Sequence, residues 1–142
     1  MPTATELHSW RSFLRAHAQL VRVLEAELVA EHPITLGAYD VLVQLAEAPE
    51  RRLRMAELAD AVLLSRSGVT RLVDRLEVAG MVTRERFDGD GRGVVAVITT
   101  KGVDTLRAAA RTHLAGVVRH FVEHFNREEL ATFGELCTRL AE

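Results

Sequence analysis

Apolar residues recur along most of this chain in steps of three and four, the period of a single buried helical face. From Thr5 to about Glu31 they fall at Leu7, Trp10, Leu14, Val21, Leu24 and Leu28, with His17 in the remaining slot, which predicts a long amphipathic helix. At about 1.5 Å per residue, such a helix is longer than a domain of this size needs internally, so part of its stripe is expected to pack on a second chain. His32-Pro33 ends it. Thr35 is placed to cap a second helix carrying Leu36, Tyr39, Leu42, Val43 and Ala46 on one face, Ile34 and Tyr39 have the spacing of a hydrophobic staple, and Pro49 closes the segment. Met55, Leu58, Ala59 and Val62 mark the buried face of a short third helix.

The stretch from Leu64 to Arg92, LSRSGVTRLVDRLEVAGMVTRERFDGDGR, is the one the rest of the chain serves. Leu63 to Ser65 form a tight turn in this reading, with Ser65 as N-cap of a helix whose Val69, Leu72, Val73 and Leu76 give one buried stripe and which Gly80 ends. The opposite face carries Ser67, Thr70, Arg71 and Asp74, flanked by Arg66 and Arg75, so hydroxyl and guanidinium groups point outward together. Two short helices so joined have the form of a helix-turn-helix unit. Val82, Arg84 and Arg86 then alternate within Met81 to Phe87, Val94 to Thr99 is β-branched, and DGDGRG between them is turn chemistry, which predicts a β-hairpin with a charged tip. Thr99 or Thr100 can cap another long helix, with Val103, Leu106, Ala110, Leu114, Val117, Phe121 and Phe125 on its apolar stripe. Asn126 and Glu129 form a capping box for a last helix lined by Leu130, Phe133, Cys137 and Leu140.

Composition narrows the reading. At 142 residues and 48% hydrophobic, the chain can bury one compact core. It has no run of about eighteen uncharged apolar residues and no basic-then-apolar leader, so no membrane partner is expected and the expected location is the cytoplasm. A single cysteine, Cys137, excludes an intrachain disulfide framework and reads as a small buried hydrophobe. The formal net charge of −2 is not that of a generally basic nucleic-acid binder, yet its distribution is uneven. Residues 1–50 hold three basic and seven acidic residues (−4), 51–92 hold nine and seven (+2), and 93–142 balance at six and six. The positive part coincides with the proposed reader.

The order of elements, with SRSGVTRLVDRLEVAGMVTRE and DGDGRGVVAVITTKG as its most specific parts, resembles the MarR family of bacterial winged-helix transcription regulators over nearly the whole chain. Asp90-Gly91-Arg92 stands where that family has an Asp-any-Arg wing motif; the middle position is commonly arginine in relatives, so fewer phosphate contacts are expected from this wing. The resemblance implies a mainly α fold with a small β-wing (α+β). In it a winged helix-turn-helix lobe spans 35–99, and 1–34 with 100–142 form a helical dimerisation region. It implies a homodimer on double-stranded DNA, with recognition helices in successive major grooves about 34 Å apart on a pseudo-palindromic operator. DNA contacts are expected from Ser65, Arg66, Ser67, Thr70, Arg71, Asp74 and Arg75, from Arg84 and Arg86 on the backbone, and from Arg92 in the minor groove, oriented by Asp90. Family members are mostly repressors, many of which release DNA when a small anionic or phenolic ligand wedges between dimer core and DNA-binding lobe. Trp10, Arg11, Arg15 and Tyr39 are candidates to line that site for a small aromatic or anionic effector.

Rival readings have less behind them. No Ser-His-Asp arrangement or phosphate-binding glycine loop is present, so no enzyme and no cofactor is expected. A protein-interaction module that had lost DNA binding would have no reason to keep the arginine set. His113, His120 and His124 suggest a metal-responsive regulator, because the last two have ligand spacing, but a zinc site needs a further ligand from another helix. Interfacial histidines hydrogen-bonded in a dimer core, with no metal, are the favoured reading.

Overall fold

The computed structural model describes residues 1–64, 67–86 and 93–142. Among these residues six α-helices and a three-stranded antiparallel sheet follow one another as α1 (Ala4–Glu31), α2 (Leu36–Glu47), β1 (Arg52–Arg54), α3 (Met55–Ala61), α4 (Val69–Val78), β2 (Val82–Arg86), β3 (Val94–Ile98), α5 (Thr100–His120) and α6 (Arg127–Ala141). The helix starts are set by local hydrogen bonds. Glu6 N–H donates to Thr3 Oγ1 and Thr3 N–H to the Glu6 carboxylate at the head of α1, Thr35 Oγ1 accepts from Ala38 N–H on α2, and Asn126 and Glu129 cap α6 reciprocally. Of the two threonines that could cap α5, Thr99 does so, accepting from Gly102 N–H.

The core lies where α2 meets α3, α4, the sheet and the facing parts of α1 and α5; Leu28, Leu42, Leu45, Leu58, Val73 and Val82 are fully buried in it. Two glycines permit the closest approaches. A Cβ on Gly102 would stand 2.2 Å from the Met81 carbonyl oxygen, and one on Gly116 would stand 2.7 Å from a Glu27 carboxylate oxygen on α1. At the ends the helices leave this core. Leu28 is the one residue of α1 that is fully covered and α6 has none, while Trp10, Phe13, Leu14, Phe133, Leu136 and Leu140 are exposed.

Three expectations change. α4 begins at Val69 with Gly68 (φ 81°) as its N-cap, and α3 ends at Ala61; Ser65, read from the sequence as the cap and as the end of a three-residue turn, lies outside the described residues. A strand not read from the sequence, β1, pairs with β3, placing Leu53 opposite Ala96 and giving the sheet the order β1-β3-β2. The stripe running to Phe125 is not one helix. α5 stops at His120, Phe121 leaves helical geometry (φ −126°, ψ −64°), and a short 3-10 turn at Val122–His124 follows. Aromatic packing accompanies the break: Phe121, Phe125 and Phe133 gather there with ring centroids 5.3–5.8 Å apart, which brings Phe133 of α6 against the residue that ends α5.

Candidate nucleic-acid interface

Helix α4 buries Val69, Val73 and Leu76 and half-buries Leu72, which fixes its rotation and turns Thr70, Arg71, Asp74 and Arg75 outward. Its end is a Schellman motif: Gly80 (φ 79°) donates to Glu77 O and Met81 to Leu76 O, both through backbone N–H groups. The hydroxyl of Thr99 and the ammonium of Lys101 donate to the carbonyls of Gly80 and Ala79 at 2.7 Å each, tying this end to the start of α5. Exposed Ser67 precedes the helix, and among the described residues no side chain caps its start.

Of the arginines expected to touch DNA, the described ones separate into two kinds. Arg71 and Arg75 are exposed and form no ion pair among the described residues. Arg84, on β2, is only 22% exposed and turned back onto α4, with Nη1 2.5 Å from Asp74 Oδ1 and 3.4 Å from Glu77 Oε1, and Nη2 donating to Thr70 O at 3.1 Å. Its backbone N–H also donates to Glu77. Arg84 and Asp74 therefore hold each other and brace the recognition helix against the wing. Arg86 is exposed at the end of β2, and the neighbouring Glu85 pairs with Arg52 of β1 at 3.2 Å. β2 and β3 form the predicted hairpin, with Val82 opposite Ile98 and Arg86 opposite Val94. Arg66, Asp90 and Arg92 lie outside the described residues, as does the hairpin tip.

Comparison with known proteins decides the family. Residues 32–93 match the MarR family profile. The crystal structure of AbsC, a MarR family transcriptional regulator from Streptomyces coelicolor, is 35% identical and superposes with a TM-score of 0.89 over 99% of this chain and 95% of that one. Sco3205, another MarR family regulator from that organism, crystallised in complex with DNA, is 36% identical with a TM-score of 0.93 over 100% of this chain and 89% of its own. The HTH-type transcriptional repressor YetL of Bacillus subtilis is 28% identical over 109 residues, 74% of this chain and 65% of that protein. The chain belongs to the MarR family of winged-helix transcriptional regulators. It is a regulator and not an enzyme, and no helix among its described residues is long and apolar enough to cross a membrane.

In this MarR regulator a second feature stands behind the recognition helix. A cleft of about 320 Å³ opens between α1, α2 and α5, walled by Leu20, Leu24, Val43 and Val117 and reaching Leu63 and Leu64 in the α3-to-α4 connection. Tyr39 lines it, its ring 4.7 Å from that of His113. Burial raises the Tyr39 pKa, with Glu47 adding to the effect, and burial lowers that of His113. Trp10, Arg11 and Arg15 do not join Tyr39 there; they stand on the first turns of α1, exposed.

Asp40 is not among the site residues read from the sequence, yet it links α2 to the chain entering α4. It is a buried charged side chain, and its Oδ2 accepts the backbone N–H groups of Leu63 at 2.7 Å and Leu64 at 3.1 Å, so α2 holds the connection leading into α4. The signal was present: Asp40 sits four residues after Leu36 and three before Val43, on the apolar stripe itself. His120 and His124 line one groove with Phe121 and Phe125, apart from His113. His120 Nε2 donates to Glu27 Oε1 at 2.5 Å beside an Arg119–Glu27 pair at 3.0 Å, His113 faces Tyr39, and among the described residues no three potential ligands converge on a metal position. The His120 hydrogen bond, with Arg119, holds the Glu27 carboxyl below its ordinary range against a smaller desolvation effect.

Proposed function

We propose that this protein is a repressor that binds a pseudo-palindromic operator as a homodimer and changes its DNA affinity when a small molecule occupies the lobe–core cleft. The observation that carries the reading is α4 itself: a helix whose buried side is fixed by Val69, Val73 and Leu76, whose outer side offers Thr70, Arg71 and Arg75, and whose angle to the wing is held by Arg84. Thr70, Arg71 and Arg75 are assigned to base edges and phosphates, with Ser65, Arg66, Ser67 and Arg86 beside them, and Arg92, oriented by Asp90, to the minor groove. Asp74 and Arg84 support that surface from within. YetL, described as a repressor, and Sco3205, crystallised with DNA, support the sign and the target.

The dimer is supported by what a single chain leaves uncovered. Trp10, Phe13 and Leu14 of α1 and Phe133, Leu136 and Leu140 of α6 are exposed apolar side chains, and Phe133 also lines a groove with Leu20, Val23, Phe121 and Phe125. A two-fold partner there spaces two α4 helices for successive major grooves. The deciding experiment combines sedimentation velocity with footprinting on the intergenic DNA beside the protein's own gene. The expected result is a dimer protecting two half-sites about one helical turn apart. A monomer, or a single unspaced half-site, overturns the reading.

A further inference from the structure

The first turn of α5 grips the end of α4 through three consecutive carbonyls. Ala79 O accepts from Lys101 Nζ at 2.7 Å, Gly80 O from Thr99 Oγ1 at 2.7 Å, and Met81 O from the Thr99 backbone N–H at 3.0 Å. Of these donors only the Lys101 ammonium carries a charge, and it stands where a cation counts. Ala79 is the C-cap of α4, and the negative end of a helix dipole gathers on its last carbonyls. The lysine stem also covers the turn: a Cβ on Gly80, whose φ of 79° ends the helix, would lie 3.7 Å from Lys101 Cδ and 4.0 Å from Nζ.

Residue type adds a second observation. Lys101 is the only lysine among the chain's 18 basic residues, all the others being arginine. A guanidinium at this position would keep the charge permanently, whereas an amine can lose it by acylation. Lys101 is exposed, so its amine is open to solvent while it holds the turn. In the reaction the neutral amine's lone pair attacks the carbonyl carbon of an acyl phosphate or acyl thioester. A C–N bond forms, the C–O bond to phosphate or the C–S bond to the thiol breaks, and the amine's proton passes to water. The product is an uncharged amide with one N–H and a bulkier end.

We propose that Lys101 is an acylation site and a positioning residue for DNA binding, whose modification loosens the end of α4 and weakens its hold on DNA. The inference rests on the reading of α4 as the helix that meets DNA. The ammonium is turned to Ala79 O, so it acts through the helix it holds and not as a phosphate contact. A cation on a helix C-terminus shifts an equilibrium by about two- to fivefold. DNA affinity falls with the fraction of molecules that keep the helix in place.

The test treats the full-length protein with acetyl phosphate and reads the site by peptide mass spectrometry. Affinity is measured by fluorescence anisotropy on a duplex selected from a random pool with untreated protein. Acetylation is expected at Lys101, with affinity about two- to fivefold lower and the salt slope unchanged. Lys101→Gln is expected to bind as weakly without treatment, and Lys101→Arg to bind within about twofold of wild type and to be insensitive to treatment. Amide exchange is expected to quicken at Gly80 and Met81 but not at the buried Val73 and Leu58, which separates a local release from general destabilisation. An unmodified Lys101, or equal loss of affinity in treated Lys101→Arg, overturns the site. Wild-type affinity in the acetylated protein, unchanged exchange at Gly80 and Met81, or a salt slope lower by about one overturns the positioning role. A duplex bound equally by wild type and by a variant combining Arg71→Ala with Arg75→Ala overturns the reading of α4, and with it the consequence drawn for Lys101; a duplex lost by that variant but kept by the acetylated protein overturns the consequence alone.

Discussion

Arg84 on β2 and Asp74 on α4 lie 2.5 Å apart, ten residues from each other in sequence and on opposite sides of the turn at Gly80. The pair ties the recognition helix to β2, together with the Arg84 bond to Thr70 O. Arg84→Ala is expected to lower stability by about 1–2 kcal/mol, since it removes a partly buried ion pair together with a charge-assisted hydrogen bond. A urea-denaturation double-mutant cycle with Asp74→Asn should give a coupling of about 0.5–1 kcal/mol. A coupling of zero would mean that Arg84 does not brace the helix.

Arg71 and Arg75 stand on the outer face of α4 without an internal ion pair among the described residues, so removing either should leave the fold intact. Arg71→Ala or Arg75→Ala is expected to weaken operator binding by about 1–3 kcal/mol if the side chain reads a base, with relaxed preference at one operator position. Fluorescence anisotropy against point-substituted operators measures this. A phosphate contact would instead weaken all sequences alike and lower the salt slope by about one.

Gly102 is where α5 meets the end of the recognition unit. A methyl group there would stand 2.2 Å from Met81 O and 2.7 Å from Ile98 Cγ1, one of them backbone that cannot easily move. Gly102→Ala is expected to cost roughly 2–4 kcal/mol despite the higher helix propensity of alanine. Thermal unfolding checks it, and a variant as stable as wild type would contradict the packing.

The buried His113 has a folded-state pKa below its ordinary 6.5, because burial penalises the imidazolium. The unfolded chain therefore binds the extra proton more readily. Stability from this group is complete above the unfolded value and is lost as pH falls through it towards the folded one. Glu27, held low first by its hydrogen bond to His120, contributes in the same direction but only below its ordinary 4.5. Chemical denaturation across mildly acidic pH should show stability declining below neutrality in wild type and a flatter profile in His113→Phe. An unchanged profile in that variant would assign the decline elsewhere.

How much of this was readable in advance follows from the range of the interactions. Thr35, Asn126 and Gly80 act on neighbours three to five residues away, so the starts of α2 and α6 and the end of α4 are written in the local sequence. The hairpin likewise needs only two β-branched or alternating segments and a glycine-rich link. Ser65 reads as the cap because a serine before an apolar period is a permissive signal, whereas the left-handed Gly68 takes the N-cap position three residues later.

By itself, then, the sequence determined the helical order, the buried stripe and outer arginines of α4, and the family pattern, all of which depend on period and short-range hydrogen bonds. Tertiary structure alone decided the rest. Three residues of β1 become a strand only because β3 offers them a partner, and the Phe121 stripe breaks where Phe133 of another helix meets it. Residue type names Arg84 as a cation, and only the fold pairs it with Asp74; Asp40 reads as an interruption of an apolar face, and only the fold places it on the amides of Leu63 and Leu64. In each case the deciding partner is set by the packing of separate elements, so residue type and spacing name a candidate while the fold assigns its role.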